Sequence, residues 1–169
     1  MLAMPDHIPP VGTYLGFDFG TRYLGVAVGQ SITKTASPLI TLRANHGQPQ
    51  WDHLAKILKE WEPRGLIVGL ALQADGSASP TSLAAQKFAR RLQGRFTYPV
   101  YFIEERLTSI AAQAKIRETV AFATSSVHRD RDAQAAAILL ASWLNNEFKQ
   151  PYAYHDTSDS TESLITMRS

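Results

Sequence analysis

Apolar and polar positions divide the chain into an antiparallel beginning and an alternating helix and strand remainder. From Leu15 to Gly29 two short apolar strands meet at Gly20-Thr21-Arg22, and Asp18 is the only acid within them. A third extended piece over Ser37–Leu42 completes a meander, and the polar stretch Asn45–Gln50 reads as a loop. Trp51, Leu54, Ala55, Leu58 and Trp61 recur at helical spacing, and Glu62-Pro63-Arg64-Gly65 closes that helix. Leu66-Ile67-Val68-Gly69-Leu70 is a continuous apolar run, the pattern of a parallel strand covered on both faces. Ala71–Ser79 leaves it as a loop. Ser79-Pro80 starts a second helix, buried along Ala85, Phe88, Ala89 and Leu92, and Tyr98–Ile103 is a further buried strand. That strand runs into Glu104, Glu105 and Arg106, after which Thr108 caps a helix predicted to reach Arg117. Periodicity fades over Glu118–Arg131, where Ala123-Thr124-Ser125-Ser126 reads as mobile. Ala133, Ala136, Ala137, Leu140, Ala141, Leu144 and Phe148 then mark a last helix, with Asp130 and Asp132 at its start.

This order predicts an α/β fold: a mixed five-stranded sheet, three antiparallel strands then two parallel, with helices on both faces. A length of 169 residues suits one domain, and 44% hydrophobic residues support a packed core. Residues 1–13, with Pro5, Pro9 and Pro10, are expected to be a flexible lead-in, 14–149 the folded domain, and 150–169 a disordered tail. The absence of cysteine excludes a disulfide framework, a thiol nucleophile and any thiolate metal site. Neither a secretory leader nor a membrane-spanning run is evident, so the expected location is cytoplasmic. A net charge of +2 permits a polyanionic partner without requiring one.

The chemistry centres on acids. An ionised carboxylate in an apolar strand needs a cation or a metal, although Asp18 could instead accept hydrogen bonds from the amides of Gly20 and Thr21. Right-handed crossovers bring the carboxyl ends of the first, fourth and fifth strands together, where open α/β sheets place their sites. Asp18 and the Glu104-Glu105 pair come at those ends, and the last helix can bring Asp132 alongside. Converging carboxylates without matching cations suit hard divalent ions, Mg2+ or Mn2+, and two such ions can drive in-line attack on a phosphodiester. The five histidines, at 7, 46, 53, 128 and 155, offer no convincing nucleophilic triad.

Phe17-Asp18-Phe19-Gly20-Thr21-Arg22, Val26-Ala27-Val28-Gly29, Ile67-Val68-Gly69-Leu70 with Asp75-Gly76, Glu105-Arg106-Leu107-Thr108-Ser109 and Asp132-Ala133-Gln134-Ala135-Ala136 together resemble the YqgF/RuvX family. The blocks occur in the family's order and cover roughly Leu15 to Phe148. The resemblance implies an RNase H-like fold related to the RuvC Holliday-junction resolvases, and a nuclease acting on pre-16S rRNA in ribosome biogenesis. It implies that Asp18, Glu105 and Asp132 are the catalytic, metal-holding acids. Two departures are visible: Ala71 where the family often has proline, and Glu104 where it often has aspartate before the Glu-Arg-Leu block. Spacing alone separates neither Glu104 from Glu105 nor Asp130 from Asp132; Asp130 also suits a helix cap.

Arg22 and Arg106, beside two of the acids, are candidates for phosphate contacts. Lys87, Arg91 and Arg95 form a stripe that could track an RNA backbone or simply face solvent. His128 is a candidate proton shuttle to the leaving group. Aromatic platforms for unstacked bases are not evident. The expected partner is RNA, pre-16S rRNA on its own or on the pre-ribosome, bound by a monomer or weak homodimer. Competing readings are a resolvase cutting branched DNA, an ATPase of the actin-like kind suggested by Asp-Phe-Gly-Thr, and a non-catalytic RNA-binding assembly factor.

Overall fold

The computed structural model describes residues 10–71, 79–104 and 131–145. Strands β1 (Thr13–Phe19), β2 (Tyr23–Gln30), β3 (Thr35–Asn45) and β4 (Gln48–Pro49) come first, followed by helix α1 (Trp51–Trp61). Strand β5 (Gly65–Leu70), helix α2 (Pro80–Arg95), strand β6 (Val100–Glu104) and helix α3 (Arg131–Asn145) complete the described elements. The sheet has six strands in the order β4-β3-β2-β1-β5-β6. β1, β2, β3 and β4 pair antiparallel in sequence, whereas β5 pairs parallel with both β1 and β6.

The fold class is the one the pattern predicts, but the strand count is six rather than five. The additional strand, β4, lies in Asn45–Gln50, which polarity alone marks as a loop. His46 (φ 50°) and Gly47 (φ 79°) both adopt left-handed backbone between the paired residues Asn45 and Gln48. Two consecutive positive-φ residues make the tight turn that matches strand twist, so the chain folds back as a hairpin. β3 also runs past the predicted Ser37–Leu42. It passes Pro38 through a bulge that leaves Leu39 unmatched between Ile40, opposite Val26, and Pro38, opposite Ala27. A proline cannot donate to the ladder, so the irregularity falls where a hydrogen bond would otherwise be missing.

Period-two alternation sends side chains to two layers. Leu15, Phe17, Leu24, Val26, Leu66 and Val68 pack with Leu54, Ile57 and Leu58 of α1 and Phe88, Ala89 and Leu92 of α2. The opposite face presents Tyr14, Ala27, Ile67, Tyr101 and Ile103 to Ala136, Ala137, Leu140 and Ala141 of α3. β5 is buried on both faces, as its continuous apolar run predicts. Glu62, in left-handed conformation, ends α1 at the predicted position.

α2 starts as Ser79-Pro80 predicts. The Ser79 hydroxyl accepts from Ser82 N at 3.0 Å and donates to the Ala71 carbonyl at 2.6 Å, tying the helix start to the end of β5. Ser79→Ala removes both bonds and is expected to lower stability by about 1 kcal/mol in urea denaturation.

The C-terminal half of α3 is held by a ring cluster, with Trp143 at 5.1 Å from Tyr14 and 5.3 Å from Tyr101 between ring centroids. Tyr14 is fully buried, and its hydroxyl donates to the Pro10 carbonyl. Burial pushes its phenol from 10.0 up to about 12, with Tyr101 adding to the rise and Arg64 opposing it. The folded state prefers the neutral phenol, so this contribution is intact below the unfolded value of about 10 and is lost as pH rises through about 12. The denaturant midpoint is therefore expected to fall between those two pH values. In Tyr14→Phe, measured against its own neutral-pH midpoint, the alkaline loss should be smaller.

Candidate active site

The site is organised by a glycine. Asp18 on β1 is the register partner of Gly25 on β2. Leu15, Phe17 and Phe19 enter the α1/α2 layer, so Asp18, between the last two, belongs to the α3 face. A Cβ built on Gly25 would fall inside the Asp132 carbonyl group and stand 2.8 Å from Ala133 N. The first turn of α3 therefore rests on bare β2 backbone, and Asp132 is delivered to the row of the sheet that carries Asp18. The close contact with glycine continues down the helix, where a Cβ on Gly16 would lie 2.7 Å from Leu140 Cβ and 3.1 Å from the Ala136 carbonyl oxygen. Glycines of β1 and β2, met by the backbone at Asp132, Ala133 and Ala136 and by the Leu140 side chain, give the helix its close approach.

Asp18 and Asp132 are both half-buried. α3 runs from the carboxyl end of β1 back along the sheet, so its positive N-terminal end lies at this row and favours negative charge there. Thr41, opposite Gly25 on the other side, continues the row with a buried hydroxyl that has no hydrogen-bond partner among the described residues. The turn after Asp18 is clamped by the β3–β4 hairpin: Gly47 N donates to the Thr21 carbonyl at 3.0 Å and Ala44 N to the Arg22 carbonyl at 2.7 Å. The short strand invisible in the polarity pattern thus braces the loop that carries Arg22.

The other predicted residues divide clearly. Glu104 is the last residue of β6 and follows Val100 and Phe102, which pack in the α1/α2 layer, so alternation sets it on the face away from Asp18. Glu105, Arg106, His128 and Asp130 lie outside the described residues. Arg22 is exposed in the turn beside Asp18. Lys87 and Arg91 are on α2, which packs against the opposite face of the sheet, and the structure does not bring them to the two aspartates. Arg95 of the same stripe lies over the Trp51 ring, 4.4 Å from its centroid, an intramolecular cation–π contact.

Among the described residues no group of three or more His, Asp or Glu side chains converges as a ready-made metal cage. The donor set nonetheless fits a hard divalent cation: two aspartates from separate elements come to one row of the sheet, and the chain has no cysteine. No described helix is long and apolar enough to cross a membrane.

Comparison with known proteins gives a consistent picture. Residues 12–146 match the model of the RuvX family, described as Holliday junction resolvase. A "Putative pre-16S rRNA nuclease" of Pseudomonas paraeruginosa is 47% identical over 137 residues, covering 80% of this chain and 93% of that one. A protein of the same description from Haemophilus ducreyi is 46% identical over 135 residues, covering 79% and 96%. Among solved structures, T. thermophilus RuvC in complex with Holliday junction substrate superposes with a TM-score of 0.55 at 16% identity, covering 83% of this chain and 99% of that one. That likeness establishes the fold.

Proposed function

The chain belongs to the RuvX family, and from that premise we propose that it is a divalent-metal-dependent nuclease that hydrolyses phosphodiester bonds of pre-16S rRNA, at its 5′ end. The observation that carries the reading is the delivery of Asp132 to Asp18 through Gly25. A structural acid has no need of a second aspartate seated by its backbone on the same row; a cation site does. Asp18 and Asp132 would hold Mg2+ or Mn2+, and Glu105 is the third acid of the proposal. Glu104 itself, the last residue of β6, is on the face away from Asp18 and so does not fill that role.

In this reading the two aspartates orient the cation against the scissile phosphate, and Arg22 on the braced turn holds a neighbouring phosphate oxygen. When bound, the metal supplies an activated water and stabilises charge on the leaving oxygen. The chain's own share is to fix the carboxylates rigidly through backbone packing, which costs no reorganisation during reaction. Its expected compartment is the cytoplasm, where precursor rRNA is processed. The matched span of 12–146 supports residues 14–149 as one nuclease domain.

Branched DNA is the competing substrate, favoured by the description of the family model as a Holliday junction resolvase. The two are separated by incubating a labelled pre-16S rRNA fragment and a four-way DNA junction with Mg2+, with Mn2+ and with EDTA. Metal-dependent cutting of the RNA alone is the expected result. Cutting of the junction alone would transfer the site to DNA, and RNA binding without any cutting would favour the assembly-factor reading.

A further inference from the structure

Tyr23 of β2 and Arg43 of β3 are register partners, one row beyond Gly25 and Thr41. Their neighbours Leu24 and Leu42 are buried in the α1/α2 layer, so Tyr23 and Arg43 project from the face that carries Asp18. α3 begins over Gly25 and proceeds towards Gly29, away from this row, so the helix leaves it uncovered. Tyr23 keeps 45% of its surface exposed, and its ring has no aromatic partner among the described residues. Arg22, next to it in sequence, and Arg43, opposite it, are both exposed. Neither guanidinium is in an ion pair among the described residues. From Arg43 a shallow groove continues along the hairpin past Asn45, His46 and Gln48.

We infer that Tyr23 is a stacking platform for an unpaired base of an RNA strand, with Arg22 and Arg43 holding phosphates on either side of it. The inference rests on the nuclease reading and deepens it by naming the strand state of the substrate. Charge selects the partner. Two cations without an ion pair among the described residues, beside an exposed ring, suit a polyanion, whereas an apolar protein partner would have to desolvate both. Strand state follows from the ring, because a duplex keeps its base faces stacked and only an unpaired base can offer one to Tyr23. Position follows from the sheet: the platform is on the Asp18 face, about 7 Å along β2 from the Gly25 row, so a strand stacked there passes directly to the carboxylates.

The test is fluorescence anisotropy of a short labelled oligoribonucleotide in EDTA, which permits binding without cleavage, alongside the same sequence as a blunt duplex. Tyr23→Ala is expected to weaken single-strand binding about tenfold and duplex binding hardly at all. Tyr23→Phe keeps the ring face and should bind like wild type. Arg43→Ala should weaken binding and flatten its salt dependence by about one phosphate contact. Wild-type affinity in Tyr23→Ala, equal losses on single strand and duplex, or no single-strand binding by the wild type would each overturn the platform. If Tyr23→Ala fails to fold by circular dichroism, Tyr23→Leu, which fills the position without a ring face, decides between the same outcomes: a selective loss on the single strand is expected, and wild-type affinity overturns the platform. Cleavage of the rRNA fragment by wild type and Asp18→Asn is scored separately. A platform that fails beside intact Asp18-dependent cleavage leaves the nuclease reading standing, whereas absent cleavage with Tyr23-dependent binding removes the nuclease reading alone.

Discussion

Asp18→Asn is expected to keep the fold and lose at least about a thousandfold in cleavage rate, because the amide cannot supply the anionic oxygen that a cation site requires. The two proteins should also respond differently to metal. In EDTA the wild type places Asp18 and Asp132 on one row of the sheet, and their like charges oppose folding. The variant relieves that repulsion, so its melting temperature should equal or exceed that of the wild type by a few degrees. Saturating Mn2+ should reverse the order: a ligand at a hundred times its Kd stabilises the native state by about 2.7 kcal/mol, and only the wild type binds it. Thermal melts with and without Mn2+, run beside the cleavage assay, separate a metal-binding acid from a structural one. An Asp18→Asn protein that melts early under both conditions would mean that the carboxylate serves the turn.

Gly25→Ala should damage both stability and activity, although it adds a single methyl group. Its Cβ has no space, since the Asp132 backbone already occupies that position and Ala133 N would be 2.8 Å away. The neighbouring atoms are backbone and cannot rotate aside, so the first turn of α3 must lift from the sheet. We expect a loss of about 3 kcal/mol in denaturant unfolding, at the upper end for overpacked sites. Cleavage should fall about a hundredfold or more, because lifting α3 moves Asp132 relative to Asp18. Gly94→Ala is the matched control. Gly94 lies in α2 with nothing within 4 Å of a built Cβ, so alanine there should stabilise the helix by up to about 1 kcal/mol and leave cleavage unchanged. The contrast separates a glycine required for close approach from one that merely weakens its helix.

The same contrast separates what the amino-acid sequence carries openly from what only the packing supplies. Asp18 stands out in sequence because an acid in an apolar strand demands a partner, and the Ala-rich face of the last helix announces close packing. The identity of what that face packs against is less legible. Gly16, Gly25 and Gly29 read as weak strand residues, and only the register of β1 on β2 reveals that they form the floor under α3. β4 escapes for a related reason: a two-residue strand has no periodicity, and its turn depends on backbone angles at His46 and Gly47 rather than on hydrophobicity. Lys87 and Arg91 carry the right charge, yet strand order puts α2 across the sheet from the aspartates. Nothing in the pattern sets Tyr23 apart at the start of its apolar strand, whereas register and the starting point of α3 leave its ring in solvent. Glu104 and Glu105 are equivalent by composition; strand alternation sets Glu104 on the face away from Asp18, and Glu105 lies outside the described residues.

The central claim is that Asp18 and Asp132 share one divalent cation. It is tested most directly by Mn2+ binding, followed by the electron paramagnetic resonance of the free ion, in wild type, Asp18→Asn and Asp132→Asn under the same buffer. The wild type is expected to show a tight Mn2+ site that is lost or greatly weakened in each variant alone. Wild-type affinity and stoichiometry in either variant would contradict it, since the two carboxylates would then not be ligands of a common ion.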